Sequence, residues 1–249
     1  MAARKMRLDI ALVERGLAAS RERARALIMA GRVSVDGRVV SKAGAGVADD
    51  ASVEVATPDH PYVGRGGVKL AHALDDFGLD PSGRRALDVG ASTGGFTDVL
   101  LQRGARRVYA VDVGRGQLAE ALRQDPRVIS MERTNARSLG AASLPERVSL
   151  ASVDVSFISL RLVLAPIAAT FEAAGGDLIP LVKPQFEAGR GEAKGGVVRD
   201  AAVHERVLRE VEDAARAAGL ETLASMPSPI LGPEGNREFL LHLRVPRAA

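Results

Sequence analysis

The stretch Arg85-Ala86-Leu87-Asp88-Val89-Gly90-Ala91-Ser92-Thr93-Gly94-Gly95-Phe96 decides how the chain is read. An apolar strand runs into a glycine-rich turn and then a helix, the opening step of a doubly wound sheet whose turn carries a nucleotide-like ligand. What is missing narrows the ligand. A dinucleotide fingerprint places glycine where Ser92 stands, and a Walker loop needs a Gly-Lys-Ser/Thr run that the chain lacks. Gly90, Gly94 and Gly95 permit close approach, with Ser92, Thr93 and Phe96 completing the turn. Asp88, at the strand end, offers a carboxylate that repels phosphate and attracts a cation. S-adenosylmethionine fits, having a sulfonium, an ammonium and no phosphate. One helix later, Val108-Tyr109-Ala110-Val111-Asp112 ends a second strand on an acid placed to take two ribose hydroxyls.

Composition sets outer bounds. With 249 residues, 46% of them apolar, the chain can bury a full core and carry a second small module. Zero cysteines exclude disulfides, thiolate metal sites and cysteine nucleophiles, and the four histidines lack metal-ligand spacing, so no metal is expected. After Arg4, Lys5 and Arg7 the chain meets Asp9, Glu14 and Arg15 before any long apolar run, which is unlike a secretory signal. The apolar stretch 163–171 is too short to span a bilayer and contains Pro166. A cytoplasmic monomer with no membrane contact is the expectation. Of 34 basic residues, 29 are arginine and five lysine. Lysine can give up its proton and arginine cannot, so the few lysines are examined for chemistry.

Residues 1–59 read as a separate module, joined through a 60–63 linker to a second domain over 64–249. Leu8, Leu12 and Val13 give 8–17 helical spacing that stops at Gly16, and Ser20 caps a second helix that runs to Ala30 before Gly31. Alternating valines around Asp36-Gly37 make a hairpin over 33–40. Residues 1–42 hold ten basic and four acidic side chains. Arg21, Arg25 and Arg32 are candidates for one phosphate-neutralising face, with Arg4, Lys5 and Arg7 on a mobile arm and Lys42 beyond the hairpin. The order Arg7-Leu8-Asp9, Gly16-Leu17-Ala18, Ser20-Arg21, Leu27-Ile28, Gly31, Val33-x-Val35-Asp36-Gly37, Lys42-x-Gly44 resembles the S-four-type RNA-binding domain, which implies binding of structured RNA.

Beyond Thr57-Pro58-Asp59-His60-Pro61, helices are expected over 68–77, 96–103, 117–124 and 201–218, and strands over 108–112, 128–131, 150–155, 178–182, 221–226 and 237–244. Ligands of such sheets bind outside the carboxyl ends of the strands, where Asp154 and Lys183 fall. The stretches Val-Gly-Arg-Gly-Gly-Val-Lys-Leu from Val63, Asp-Val-Gly-Ala-Ser-Thr-Gly-Gly-Phe from Asp88, Ser-Phe-Ile-Ser from Ser156 and Leu-Val-Lys-Pro-Gln-Phe-Glu from Leu181 resemble the ribose 2′-O-methyltransferases related to FtsJ. With the first module included, the whole chain resembles the TlyA family of rRNA 2′-O-methyltransferases, historically labelled hemolysins.

The resemblance implies an α/β, Rossmann-like fold with a seven-stranded, mostly parallel sheet, preceded by a small α+β module. It implies S-adenosyl-L-methionine as cofactor, ribosomal RNA or a ribosomal subunit as partner, and 2′-O-methylcytidine as product. Because little follows Arg244, it implies large-subunit rather than small-subunit rRNA. It assigns Lys69, Asp154, Lys183 and Glu238 to a catalytic tetrad in which Lys183 takes the 2′-hydroxyl proton. Val113, Asn135 and Ala136 join the cofactor residues; Arg65, Arg133, Arg137 and Lys194 are candidates for phosphate contacts. The 189–196 loop, with Arg190 and Lys194, reads as a flap. Three other readings stand beside this one. A base N-methyltransferase carries two prolines where Val155-Ser156 stand; the remaining two are a pore-forming hemolysin and a non-catalytic RNA-binding assembly factor.

Overall fold

The computed structural model describes residues 5–18, 20–29, 31–56, 60–189 and 191–247. The chain divides into two compact units, Met1–Pro61 and Tyr62–Ala249. Arg4, Ala30, Arg190 and the 57–59 break lie outside the described residues.

The smaller unit contains β1 (Lys5–Arg7), α1 (Leu8–Glu14), α2 (Arg21–Met29), β2 (Val33–Val35), β3 (Arg38–Val39), β4 (Gly46–Ala48) and β5 (Val53–Val55). Leu8 and Leu12 of α1 and Ala24, Leu27 and Ile28 of α2 bury one stripe each against Val33 and Val47. The first helix ends at Glu14, just before the expected stop at Gly16, which turns the chain at φ +69°. Asp36 and Gly37 both have positive φ (50° and 74°), the backbone of a type I′ hairpin turn. Lys5 and Arg7 do not form an arm. They lie in β1, antiparallel to β4, with Lys5 opposite Ala48 and Arg7 opposite Gly46.

The larger unit runs α3 (Gly66–Asp76), β6 (Arg85–Val89), α4 (Gly95–Gln102), β7 (Arg107–Val111), α5 (Glu120–Arg123), β8 (Val128–Met131), β9 (Leu150–Val153), α6 (Leu164–Ala168), β10 (Gly176–Val182), α7 (Pro184–Glu187), α8 (Ala201–Ala217), β11 (Glu221–Pro227) and β12 (Phe239–Val245). Its seven-stranded sheet has the order β11-β12-β10-β9-β6-β7-β8. The strands from β10 to β8 are parallel, and β12 inserts antiparallel between β10 and β11. Alternation within each strand feeds two cores. Leu87, Tyr109 and Ala151 pack with Ile167, Val207 and Val211 on one face. Ala86, Val108 and Leu150 pack with Leu70, Val99 and Leu100 on the other. Among the described residues no helix is long and apolar enough to cross a membrane.

Candidate active site

The glycine-rich turn connects β6 to α4, and its geometry corrects two expectations. Asp88 is fully buried, accepting hydrogen bonds from Thr97 Oγ1 (2.7 Å) and Ser152 Oγ (3.1 Å). Strand alternation turns its side chain under the first turn of α4, so it ties β6 to α4 and β9 instead of facing a ligand. Burial pushes its carboxyl up to about 7, against the opposing hydrogen bonds from Thr97 and Ser152. Gly94, at φ +98°, serves packing: a Cβ there would stand 2.2 Å from Leu122 Cδ1 and 2.8 Å from Leu118 Cδ1. Gly90 lets the turn press on the end of β9, where a Cβ would meet the Asp154 carbonyl oxygen at 2.3 Å. Gly95 likewise admits the 64–67 segment, with Gly67 N 2.9 Å from its Cβ position.

Two cavities open on this turn and share Gly90, Ser92 and Asp154. The larger, about 320 Å³, is also bounded by Asp112, Val113, Asn135, Ala136 and the 155–158 segment. The smaller, about 160 Å³, is bounded by Gly64, Arg65, Gly66, Thr93, Gly95 and Phe96. Every expected cofactor residue except Asp88 and Gly94 thus lines one or both. Asp112 is fixed by two backbone donors, Ser92 N at 2.8 Å and Gly114 N at 2.7 Å. Its carboxylate is therefore held in one orientation, and Ser92 accepts φ +48° to make that bond. Asn135 Oδ1 caps the short turn over 136–138 by accepting from Arg137 N at 3.0 Å.

The four residues of the expected tetrad fall into two ion pairs. Lys69 of α3 is paired with Glu238, 169 positions away, and both are buried. Lys183, at the end of β10, lies 2.5 Å from Asp154 and donates to Ser156 Oγ at 3.0 Å. The pairs are neighbours. Val182 opposes Phe239, so Lys183 and Glu238 each stand one residue beyond the last rung of that ladder. Gly66, one turn before Lys69 on α3, has its Cβ position 3.7 Å from Asp154 Oδ2. Asp154 lies just past β9 and Glu238 just before β12, each one step outside the strand expected to hold it.

Phe157 was legible as part of the run that excludes a proline motif and of the Ser-Phe-Ile-Ser stretch, with no role of its own, yet it is 90% exposed, lines the larger cavity and sits at φ +63°. Its ring meets Phe186 at 5.0 Å between centroids. An exposed, strained aromatic in a chain with six phenylalanines and two tyrosines is the signal that could have found it. The 189–196 loop is tied at both ends. Glu192 accepts from Gly189 N and Arg206, while buried Asn236 donates to the Gly196 carbonyl and accepts from Val198 N.

Arg65, Arg133, Arg137 and Lys194 are exposed and make no ion pair with a described residue. At the opposite ends of the strands Arg84, Arg85, Arg107 and Arg127 are each paired with an acid. Free cations therefore gather on the side that holds the cavities. In the smaller unit Lys42 is exposed, whereas Arg7, Arg21 and Arg25 converge on Asp9. Arg32 donates to the Ala56 carbonyl instead of joining Arg21 and Arg25.

Comparison with known proteins gives the following. Residues 62–245 match the model of the FtsJ-like methyltransferases, and residues 6–51 match the S4 domain. The chain is 48% identical over 244 residues to the 16S/23S rRNA (cytidine-2′-O)-methyltransferase TlyA of Mycobacterium tuberculosis, covering 97% of this chain and 91% of that one. It is 40% identical over 241 residues to Hemolysin A of Brachyspira hyodysenteriae, covering 95% and 99%. A solved Streptococcus thermophilus chain that carries a provisional hemolysin name is 44% identical, with a TM-score of 0.77 over 99% of this chain and 90% of that one.

Proposed function

The chain belongs to the FtsJ-like methyltransferase family, in its TlyA branch, and we propose that it methylates a ribose 2′-hydroxyl of ribosomal RNA. The observation that carries this reading is the pairing of Lys183 with Asp154, a residue that lines both cavities. The rRNA acceptor is inferred from the S4 match, the free cations beside the cavities and the M. tuberculosis relative, whose name specifies a cytidine.

The residues present fit S-adenosylmethionine. Asp112 offers a carboxylate already oriented by two backbone amides, Val113 and Ala136 offer apolar walls, and Asp154 faces the point where the two cavities meet. When bound, this cofactor supplies an electrophilic methyl group on a sulfonium. The rest falls to the chain's own side chains. A 2′-hydroxyl is a poor nucleophile until its proton leaves. Lys183, held between Asp154 and Ser156, takes that proton at Nζ in its neutral amine form. Asp154 fixes the amine and stabilises the ammonium that forms. Lys69 and Glu238 orient the ribose from the neighbouring pair. Phe157, exposed above the larger cavity, stacks the target base, and Arg65, Arg133, Arg137 and Lys194 hold flanking phosphates. A small pocket walled in part by Asp112 and Asp154, with free arginines at its rim, matches RNA delivered as an extruded nucleotide.

The reading carries with it a monomer working in the cytoplasm, where ribosomes are made. The test is transfer of labelled methyl groups to purified small and large ribosomal subunits, followed by alkaline digestion. Label in alkali-resistant dinucleotides, with the large subunit the better acceptor, is expected. Label in mononucleotides, or none, refutes ribose methylation.

A further inference from the structure

Asp9 takes no part in the chemistry above, yet it is fully buried and three guanidinium groups converge on it. Arg7 reaches it with Nε at 3.0 Å and Nη2 at 3.1 Å, Arg21 with Nε at 2.9 Å and Arg25 with Nε at 3.2 Å. The three arginine side chains remain about half exposed, at 47%, 50% and 51%. Arg21 and Arg25, one turn apart on α2, bond Asp9 through Nε alone, and their Nη groups have no hydrogen-bond partner among the described residues. A single carboxylate thus gathers three forks, leaves two net positive charges and keeps outward donors free. Guanidinium Nη pairs match the oxygens of a phosphate. Three like charges do not assemble at one point unless an acid holds them, and side chains already held in place lose less entropy on binding. The surrounding guanidinium groups, Arg7 foremost, hold the Asp9 carboxyl well below the usual carboxylate range, so it is charged at any pH where RNA binds.

We propose that Asp9 is a positioning residue that pre-forms Arg7, Arg21 and Arg25 into a platform for the RNA phosphate backbone; this rests on the rRNA reading above. The idea reverses the sign expected from charge alone. Asp9→Asn makes the unit more positive by one, which by electrostatics strengthens RNA binding. If the acid organises the arginines, binding weakens instead.

The test measures methyl transfer and filter binding of the full chain on purified large ribosomal subunits, over a range of salt. For Asp9→Asn, KM for the subunit rises roughly tenfold, the loss expected when several side chains must be ordered at binding. The kcat at saturating subunit and the affinity for cofactor stay at wild-type values, a split that general unfolding does not produce. Arg25→Lys, at a half-exposed position, covers the case in which Asp9→Asn fails to fold. It preserves charge but removes the fork, and it too raises KM. Binding by Asp9→Asn as tight as wild type or tighter, with a salt slope steeper by about one, overturns the proposal. So does an Arg25→Lys chain that binds as wild type. Absence of binding by the wild-type chain is a separate result and overturns the rRNA reading itself.

Discussion

Replacing Gly94 with alanine separates two reasons for a glycine in the turn after β6. If it is there for packing, Gly94→Ala harms the fold through named atoms. The new Cβ arrives 2.2 Å from Leu122 Cδ1 and 2.8 Å from Leu118 Cδ1, on a backbone at φ +98°. The backbone conformation costs about 1–2 kcal/mol for a residue with a Cβ. Forcing a methyl into a filled space costs about 1–3 kcal/mol more. The sum is a loss of about 2–5 kcal/mol, read as a lower urea midpoint for the larger unit. Leu122→Ala alone costs about 2–3 kcal/mol as a large-to-small change at a buried site on a short helix. In the double variant the 2.2 Å clash is gone, so the combined loss falls short of the sum by about 1–2 kcal/mol. Strict additivity refutes the packing argument. So does a Gly94→Ala chain of wild-type stability that has lost S-adenosylhomocysteine binding, since that glycine would then be admitting ligand.

Four other outcomes follow from the same geometry. Asp88 has a raised carboxyl pKa, so its contribution to stability is full below about pH 4 and is lost as pH rises to about 7. Urea midpoints of Asp88→Asn relative to wild type should therefore rise across that window and level off above it; a flat difference contradicts the burial argument. Lys69→Met leaves buried Glu238 without its cation and should lower stability by about 3–5 kcal/mol, whereas Lys183→Met, at the less deeply buried pair, should cost less. Calorimetric melting of the two variants checks the order. Phe157→Gly relieves a positive φ at an exposed site, so melting temperature should hold or rise while KM for RNA increases; a fall in stability with unchanged KM would count against a substrate-facing ring. Asn236→Ala removes the brace between Gly196 and Val198, and limited proteolysis should cut the 189–198 loop faster than in wild type.

Much of this was open to reading from residues alone, and the failures have physical causes. The β6 turn, the Asp36-Gly37 hairpin and the alternating cores follow from local pattern, because each depends on neighbours a few positions apart. β4 and β5 did not, since strands of three residues carry no measurable alternation and their partners β1 and β2 lie far back in the chain. The helix expected over 117–124 shrank to Glu120–Arg123, with Leu118 serving to fill the space above Gly94. Pro166 and Pro184 masked the short helices α6 and α7, although proline is tolerated in a first turn. At the site, Asp154 and Lys183 were legible because strand ends of this fold collect function. Lys69 and Glu238 came from the family resemblance alone and not from spacing, because their meeting depends on the order in which β10, β12 and α3 assemble. Asp88 misled for the same reason: its position along the strand was evident, but the face it turns to is set by α4.

The central claim is that the Lys183 amine, held by Asp154, removes the proton from an RNA sugar. The most direct measurement is single-turnover methyl transfer to purified large subunits by Lys183→Ala and Lys183→Arg, with cofactor affinity determined by calorimetry on the same preparations. Both variants should bind cofactor as wild type does and transfer methyl groups at least about a hundredfold more slowly, the scale of a lost general base. A Lys183→Arg chain that transfers at the wild-type rate would contradict the account, because arginine cannot accept that proton.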